Sequence, residues 1–269
     1  MKELRAEVSA ERFFRALAGA PSRVLMLDYD GTLAPFHEDR DRAIPFPEAS
    51  ALVGRIQADG KTRVVVVSGR TVPDLLPLLG LAPAPELWGN HGWERLRDGR
   101  ELERVDPGAA ARTVLEKASK RASELTSPGR VEVKPASVAV HVRGLARDDA
   151  ERLLEAVRSD WRLMLAGGPL EVHDFDGGVE LRVLGRDKGT AVREILSEEP
   201  DGAAVAYLGD DWTDEDAFRA LHGHGLSVLV RPELRETGAD VWLRPPGELL
   251  EFLRRWQSEA ARAAPGTGS

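Results

Sequence analysis

The chain has 269 residues, of which 42% are hydrophobic, 6% aromatic and 30% charged; this composition excludes an intrinsically disordered protein and suits one large domain or two smaller ones. Its 37 Lys and Arg against 45 Asp and Glu give a formal charge of −8, so we expect no broad basic surface for nucleic acid or an anionic membrane. Cysteine is absent, which excludes disulfides and thiolate catalysis and favours a cytoplasmic location.

The first 19 residues, "MKELRAEVSAERFFRALAG", carry charges throughout instead of a continuous apolar region. They predict an amphipathic helix and not a signal peptide. Further along, no apolar run reaches the length of a membrane span.

Short apolar runs with polar residues at their ends predict β-strands that are buried on both faces of a sheet. The runs are "RVLMLDYD" from residue 23, "TRVVVVSGR" from residue 62, "AAVAYLGDD" from residue 203 and "GLSVLV" from residue 225. Helical spacing of apolar residues follows at 46–60 and 188–200. Strand and helix in alternation predict an α/β fold with a doubly wound, parallel-sheet (Rossmann-like) core.

Residues 108–182 do not follow this alternation of strand and helix. They predict an inserted α+β cap, with the core formed by 1–107 and 183–269. We expect a helix at 109–125, strands within 131–143, a helix at 147–159 and strands at "RLMLAG" (162–167) and "LEVHDF" (170–175). Alternation in "VAVHVR" places Val138, Val140 and Val142 on one face, and Ala139, His141 and Arg143 on the other. The first face would pack on helices, and the second could face a ligand.

Two acidic clusters follow predicted strands, where open α/β sheets place their sites. Asp28 and Asp30 follow the first strand, and Asp210, Asp211 and Asp214 follow the third. Neighbouring carboxylates repel one another unless a cation lies between them. Oxygen ligands without His or Cys suit a hard ion such as Mg²⁺, although capping of the following helix is a competing explanation for Asp214.

Two further polar motifs could bind phosphate. Ser68 and Gly69 end the second strand, where a hydroxyl and free backbone N–H groups form a small anion site; an ordinary turn explains them equally well. Lys188 precedes a helix, so a cation and a helix N-terminus could face the same phosphate. Taken alone, such a lysine is more often exposed to solvent.

The order of the motifs "DYDGTL", "SGR", "DKG" and "GDDWTDEDAF" resembles the haloacid dehalogenase superfamily of phosphatases. With "GNHG" (89–92), "VEVKPASVAVHVR" (131–143) and "GGVELRVLGRDKG" (177–189), the chain is similar to the trehalose-6-phosphate phosphatases within it. The resemblance spans most of the chain, including the cap. One departure is Val183, which stands where the family usually has proline.

The resemblance implies a role for each motif residue. Asp28 would be the nucleophile that forms an aspartyl-phosphate, Asp30 the general acid and then base, and Lys188 the cation that neutralises phosphate. Ser68, Gly69 and Lys188 would bind the phosphoryl group, and Asp28, Asp30, Asp210, Asp211 and Asp214 would bind Mg²⁺. Six residues would bind the sugar: His91, Lys134, His141, Arg143, Glu180 and Arg182.

The implied reaction is hydrolysis of trehalose 6-phosphate to trehalose and phosphate, and several alternatives stay open. They are a sucrose-phosphate or glycosyl-phosphoglycerate phosphatase, a phosphomutase, and a sugar-phosphate-binding protein without catalysis. The last is disfavoured because no catalytic motif residue is missing. For His141 and Arg143, solvation of a strand competes evenly with sugar binding. A functional coupling to a trehalose-6-phosphate synthase is also left open.

Overall fold

The computed structural model describes residues 1–37, 39–97, 101–165, 169–175 and 177–262. Its strands are β1 (Lys2–Glu3), β2 (Arg23–Leu27), β3 (Arg63–Val67), β4 (Glu86–Gly89), β5 (Glu94–Leu96), β6 (Glu103–Arg104), β7 (Val131–Lys134), β8 (Ser137–His141), β9 (Leu170–Phe175), β10 (Gly178–Val183), β11 (Ala204–Gly209), β12 (Leu226–Val230) and β13 (Val241–Leu243). Its α-helices are α1 (Ala10–Gly19), α2 (Pro47–Ala58), α3 (Val72–Leu79), α4 (Ala109–Leu125), α5 (Arg147–Arg162), α6 (Lys188–Ser197), α7 (Glu215–Leu221) and α8 (Gly247–Ala261). Within the described ranges, no helix combines the length and apolarity that crossing a bilayer requires.

A nine-stranded sheet with the order β1-β13-β12-β11-β2-β3-β4-β5-β6 forms the centre of the molecule. The strands from β13 to β4 run parallel to one another, and β1, β5 and β6 add antiparallel edges. This arrangement confirms the predicted α/β fold with a parallel-sheet core. The carboxyl ends of β2, β3 and β11 therefore lie side by side, which brings the residues that follow them together.

The two faces of the sheet are covered by different helices, as expected for a doubly wound core. Leu25 and Leu27 of β2 belong to a core cluster that includes residues of α1, α2, α3 and α8. Val24 and Met26 belong to a second cluster that includes residues of α6 and α7. Because successive side chains of a strand point to opposite faces, burial on both faces requires the continuous apolar run of the sequence.

A second sheet is antiparallel and has the order β7-β8-β10-β9. Its strands come from the part of the sequence between the two halves of the core. Val138 and Val140 on one face of this sheet pack against Leu115 of α4 and Trp161 of α5. That packing leaves the opposite face, which carries His141, for the core site. The division into a core of 1–107 and 183–269 and a cap of 108–182 stays our proposal.

One predicted helix is confirmed over only part of its length, and one predicted strand is wrong. The N-terminal helix begins only at Ala10, because the Ser9 side chain caps it by accepting a hydrogen bond from the Arg12 N–H, and Lys2–Glu3 pairs with β13 instead. No strand forms at 162–165, because α5 continues to Arg162 and a turn follows; residues 166 and 167 lie outside the described residues. The fourth strand of the small sheet is β10, Gly178–Val183.

Candidate active site

Asp28 and Asp30 follow β2, and their side chains face the same crevice. The side chain of Tyr29, between them, points into the core. The Tyr29 hydroxyl donates a hydrogen bond to the Ala43 carbonyl at 2.7 Å. Asp28 is buried, and burial raises the pKa of its carboxyl to about 7 even though the Lys188 ammonium opposes that shift. A buried carboxylate of this kind needs a cation as its partner.

Lys188 supplies that cation from the first residue of α6. Its Nζ donates hydrogen bonds to Asp28 Oδ1 and to Asp214 Oδ1, each at 2.7 Å. Burial acts to lower the pKa of Lys188, but the carboxylates of Asp214 and Asp28 raise it well above its usual range. The lysine is therefore a fixed positive charge beneath the site, and the alternative of an exposed lysine is wrong for this position.

Asp214 is fully buried, and hydrogen bonds occupy both of its carboxylate oxygens. Oδ1 accepts from Lys188 Nζ and from the Tyr207 hydroxyl at 2.6 Å. Oδ2 accepts from the backbone N–H groups of Asp210 and Asp211, at 3.0 and 2.9 Å. Asp214 therefore orients the lysine and fixes the loop that carries the neighbouring aspartates.

Among the described residues, Asp28, Asp210 and Asp214 bring one carboxylate oxygen each within 4.8 Å of one another. The two carboxylate oxygens of Asp210 are buried without a hydrogen-bond partner in the part of the chain that the structure describes. Burial raises the pKa of Asp210 well above its usual range, and the neighbouring Asp28 and Asp214 add to the shift. An unpaired carboxylate in an all-oxygen cluster fits a bound hard metal ion.

Gly31 is required for this acidic cluster to form. Its φ of +84° is in the left-handed region, and an added Cβ would lie 2.1 Å from Asp210 Oδ2. Only glycine allows the backbone after Asp30 to turn this close to the Asp210 carboxylate.

The side chains of two predicted metal ligands lie outside the three-aspartate cluster. Both Asp30 oxygens accept hydrogen bonds from the Arg70 guanidinium, each at 2.6 Å. Asp211 Oδ1 accepts from the Trp212 N–H at 2.7 Å and so caps the turn before α7. Their roles as metal ligands stay predictions.

Ser68 and Gly69 form a compact turn at the end of β3. Ser68 Oγ accepts a hydrogen bond from the Arg70 N–H at 3.1 Å, and the Ser68 carbonyl accepts from the His91 N–H at 3.0 Å. A Cβ on Gly69 would lie 2.7 Å from the His91 ring. The glycine therefore lets His91 lie directly against the candidate phosphate-binding turn.

His91 and Glu180 connect the core to the small sheet. The His91 Nε2 lies 3.3 Å from Glu180 Oε2, while Glu180 Oε1 accepts hydrogen bonds from Lys134 Nζ at 2.9 Å and from the Ser137 hydroxyl at 2.7 Å. Burial lowers the pKa of His91. For Glu180, burial acts to raise the pKa, but Lys134 lowers it well below its usual range, so Glu180 is an ionised acceptor.

One cavity, with about 660 Å³ of empty space including its open mouth, joins these groups. From the core it is lined by the predicted residues Asp28, Asp30, Ser68, Gly69, His91, Lys188 and Asp211. From the small sheet it is lined by the predicted residues Lys134, His141, Arg143 and Glu180. Asp210 and Asp214 lie in the acidic cluster beside Asp28.

The remaining predicted sugar-binding residue, Arg182, is not among the residues that line this cavity. Its Nε donates a hydrogen bond to Glu171 Oε1 at 2.6 Å, and a terminal nitrogen lies 3.8 Å from Asp216 Oδ2. These contacts place Arg182 at the junction with α7. A role in sugar binding stays a prediction.

Sequence reasoning missed three charged residues that line the cavity: Arg40, Arg70 and Glu132. Glu132 was detectable, since it precedes Lys134 by two positions in a strand and so shares its face. Arg70 stands in the quoted "SGR" motif, but its partner Asp30 is distant in sequence. Arg40 lies in a short 3₁₀ turn (Arg40–Arg42) that has no motif.

Comparison with known proteins identifies the family. The model of the trehalose-phosphatase family matches residues 26–238. The chain belongs to this family. It is 37% identical over 262 residues to the trehalose-phosphate phosphatase of Mycobacterium avium (strain 104), an alignment that covers 91% of this chain and 64% of that protein. The chain spans 62 to 64% of the length of this and two other mycobacterial relatives.

Solved structures support the fold of this trehalose-phosphatase family member. The C-terminal domain of C. albicans trehalose-6-phosphate phosphatase superposes with a TM-score of 0.83 at 23% identity, covering 96% of this chain and 99% of that one. A haloacid dehalogenase-like hydrolase from Bacteroides thetaiotaomicron superposes with a TM-score of 0.64 at 17% identity, covering 87% and 99% of the two chains. The expected haloacid dehalogenase fold is therefore confirmed.

Proposed function

We propose that this trehalose-phosphatase family member hydrolyses trehalose 6-phosphate to trehalose and inorganic phosphate. The observation that carries the proposal is the single cavity that joins the Asp28–Lys188 pair to the Glu180–Lys134 pair of the small sheet. The first pair suits a phosphoryl group and the second suits the hydroxyl groups of a sugar. A substrate with both parts would fill the cavity from one end to the other.

In the proposed first step, Asp28 attacks the phosphorus atom. A bond forms between its carboxylate oxygen and phosphorus as the bond from phosphorus to the sugar oxygen breaks, giving an aspartyl-phosphate. The Lys188 ammonium, held 2.7 Å from Asp28, neutralises charge that would otherwise repel the nucleophile. Ser68 and the N–H groups of the following turn would hold the phosphoryl oxygens.

Asp30 would serve as general acid and then as general base. It gives a proton to the departing sugar oxygen, and then takes one from the water whose oxygen displaces Asp28 from phosphorus. Arg70 holds the Asp30 carboxylate through two hydrogen bonds of 2.6 Å. This contact holds the Asp30 carboxyl group at the cavity wall, beside the proposed phosphate site.

Asp28 and Asp210 would hold Mg²⁺, and the observation that fits it is that the Asp210 oxygens have no hydrogen-bond partner in the described part of the chain. The backbone carbonyl of Asp30 and the side chain of Asp211 would complete the ligand set that we propose, with Asp214 held to the ion through water because hydrogen bonds occupy both of its oxygens. When bound, the ion supplies charge neutralisation for the phosphoryl oxygens.

The small sheet would recognise the sugar. Glu180 and Lys134 present an ionised acceptor and a donor in a fixed geometry, and His91, His141 and Arg143 line the same cavity. Hydroxyl groups of a disaccharide would pair with these groups, so the small sheet sets specificity while the core supplies the chemistry.

The experiment is a phosphate-release panel on the purified chain with Mg²⁺, using the 6-phosphates of trehalose, sucrose, glucose and mannose together with glucosyl-3-phosphoglycerate. Asp28→Asn serves as the inactive control, since an amide is not a nucleophile. We expect trehalose 6-phosphate to have the highest kcat/KM. A higher value for sucrose 6-phosphate or the glycerate would overturn the substrate and keep the phosphatase. Release only after a phosphorylated sugar activator is added would indicate a phosphomutase.

Two broader expectations belong with this proposal. A cytoplasmic location is consistent with a chain without cysteine. A functional coupling to a trehalose-6-phosphate synthase would supply the substrate, and co-purification of the two proteins at physiological salt is its test.

A further inference from the structure

Arg40 bridges the core and the small sheet at the mouth of the cavity. It lies in the 3₁₀ turn of the core, and one of its terminal nitrogens forms an ion pair with Glu132 Oε2 of β7. Its other terminal nitrogen lies 3.6 Å from Asp74 Oδ2, in the first turn of α3. A planar guanidinium can face two carboxylates at once, which an ammonium group does less well.

Glu132 is the residue of the small sheet in this bridge, and it lines the cavity. Its Oε2 also lies 2.9 Å from His141 Nε2, and its Oε1 lies 3.7 Å from Lys134 Nζ. Burial acts to raise the pKa of Glu132, but Lys134, His141 and Arg40 lower it far below its usual range. Oε1 lacks a hydrogen-bond partner among the described residues, and Glu132 lines the cavity, so its carboxylate has an unused acceptor position beside the cavity.

A second contact lies beside this bridge. The Arg143 guanidinium, which follows β8, stands 4.5 Å from the centre of the Phe36 ring of the core. Both contacts join the core segment after Asp30 to the β7–β8 hairpin. Because the ion-pair partners of Arg40, Glu132 and Asp74, are not among the proposed catalytic or phosphate-binding residues, these contacts can act on the small sheet without touching the reacting atoms.

We propose that Arg40 is a positioning residue that docks the small sheet onto the core and fixes the direction of the Glu132 carboxylate toward the sugar. This inference rests on the proposed sugar-phosphate hydrolysis. Without Arg40, the hairpin would lose its ion pair to the core, and Glu132 would turn toward Lys134 and His141 alone. Substrates that reach the small sheet would then bind less well, whereas substrates that occupy only the phosphate site would not.

The first test compares Arg40→Gln and Arg40→Lys with the wild-type chain on trehalose 6-phosphate and p-nitrophenyl phosphate. For Arg40→Gln we expect kcat/KM for the sugar ester to fall about tenfold, mainly through KM, and the small ester to change by less than about twofold. Arg40→Lys should recover part of the loss. Arg42→Gln is the matched control, because Arg42 is exposed in the same turn. Equal losses on both esters, or no loss on either, would overturn the proposal.

The second test needs no substrate and so separates this inference from the proposed function. Hydrogen exchange of the backbone amides of residues 39–46 and 131–134 should be faster in Arg40→Gln than in the wild type, with unchanged exchange in α8. Faster exchange would support docking even if the wild-type chain failed to hydrolyse trehalose 6-phosphate. Unchanged exchange in both segments would overturn docking even if that hydrolysis were observed.

Discussion

The Lys188 ammonium lies between two buried carboxylates, 2.7 Å from one oxygen of Asp28 and 2.7 Å from one oxygen of Asp214. The first carboxylate is the proposed nucleophile, and the second is occupied by hydrogen bonds on both oxygens. Asp214 therefore acts on the reaction through the lysine and the loop that it holds. Removal of its charge should disturb both activity and stability.

We expect Asp214→Asn to lower the turnover of p-nitrophenyl phosphate about 100-fold and the free energy of unfolding by about 2–4 kcal/mol. The substitution places an amide NH₂ among groups that all donate hydrogen bonds. Phosphate release and urea unfolding followed by circular dichroism measure the two effects. Asp201→Asn, at an exposed turn, should change neither. A variant as stable and active as the wild type would contradict the role of Asp214.

The Asp210 carboxylate should bind the metal ion, and it should destabilise the protein when no metal is present. Its buried oxygens have no hydrogen-bond partner among the described residues, so Asp210→Asn should raise the metal-free Tm by about 2–4 °C. The same variant should lose the increase in Tm that Mg²⁺ gives to the wild type. Differential scanning calorimetry in EDTA and in Mg²⁺ tests both points. A Mg²⁺-dependent shift that survives the substitution would argue against Asp210 as a ligand.

His91 should make stability depend on pH. Burial lowers its pKa, so below the usual histidine pKa of about 6.5 the unfolded chain binds a proton that the folded chain does not. His91 should therefore lower the free energy of unfolding as the pH decreases from 7.5 to about 5.5, whereas the raised pKa values of Asp28 and Asp210 act in the opposite direction. The free energy of unfolding of His91→Asn relative to that of the wild type should therefore rise as the pH decreases, and asparagine tolerates the local φ of +54°.

Urea unfolding across this pH range measures the effect. The matched control is His37→Asn, since His37 is exposed. Parallel curves for the wild type and His91→Asn would show that His91 is not the titrating group.

The core site could be predicted because its residues follow strands. A continuous apolar run predicts a buried parallel strand, and the carboxyl ends of such strands meet. That rule alone placed Asp28, Ser68 and Asp210 near one another. Lys188 needed the family resemblance, because its position beneath Asp28 depends on how α6 packs on the sheet.

The short elements could not be predicted in the same way. β5 and β6 at the sheet edge are "ERL" and "ER", too short and too polar to show a period. At 162–165 an apolar run suggested a strand, but packing of Trp161 against α4, with its indole N–H donating to the Ala118 carbonyl at 3.3 Å, extends the helix to Arg162. Tertiary contacts decided both cases.

Strand alternation does not predict which cap side chains reach the cavity. Alternation correctly groups Glu180 and Arg182 on one face, but only Glu180 lines the cavity, because Arg182 pairs with Glu171. The Arg40–Glu132 ion pair joins a core turn to a cap strand. Neither the position along a strand nor the spacing of charges contains that information.

The division between a phosphate site in the core and a sugar site in the small sheet is tested most directly by Glu180→Gln. Glutamine keeps one oxygen for Lys134 and Ser137, whereas alanine would leave the buried Lys134 ammonium without its 2.9 Å partner. The measurement is kcat/KM for trehalose 6-phosphate and for p-nitrophenyl phosphate, with Glu155→Gln on the exposed face of α5 as the control. We expect about a 10- to 100-fold loss on the sugar ester and less than about a threefold loss on the small ester; an equal loss on both would contradict the division.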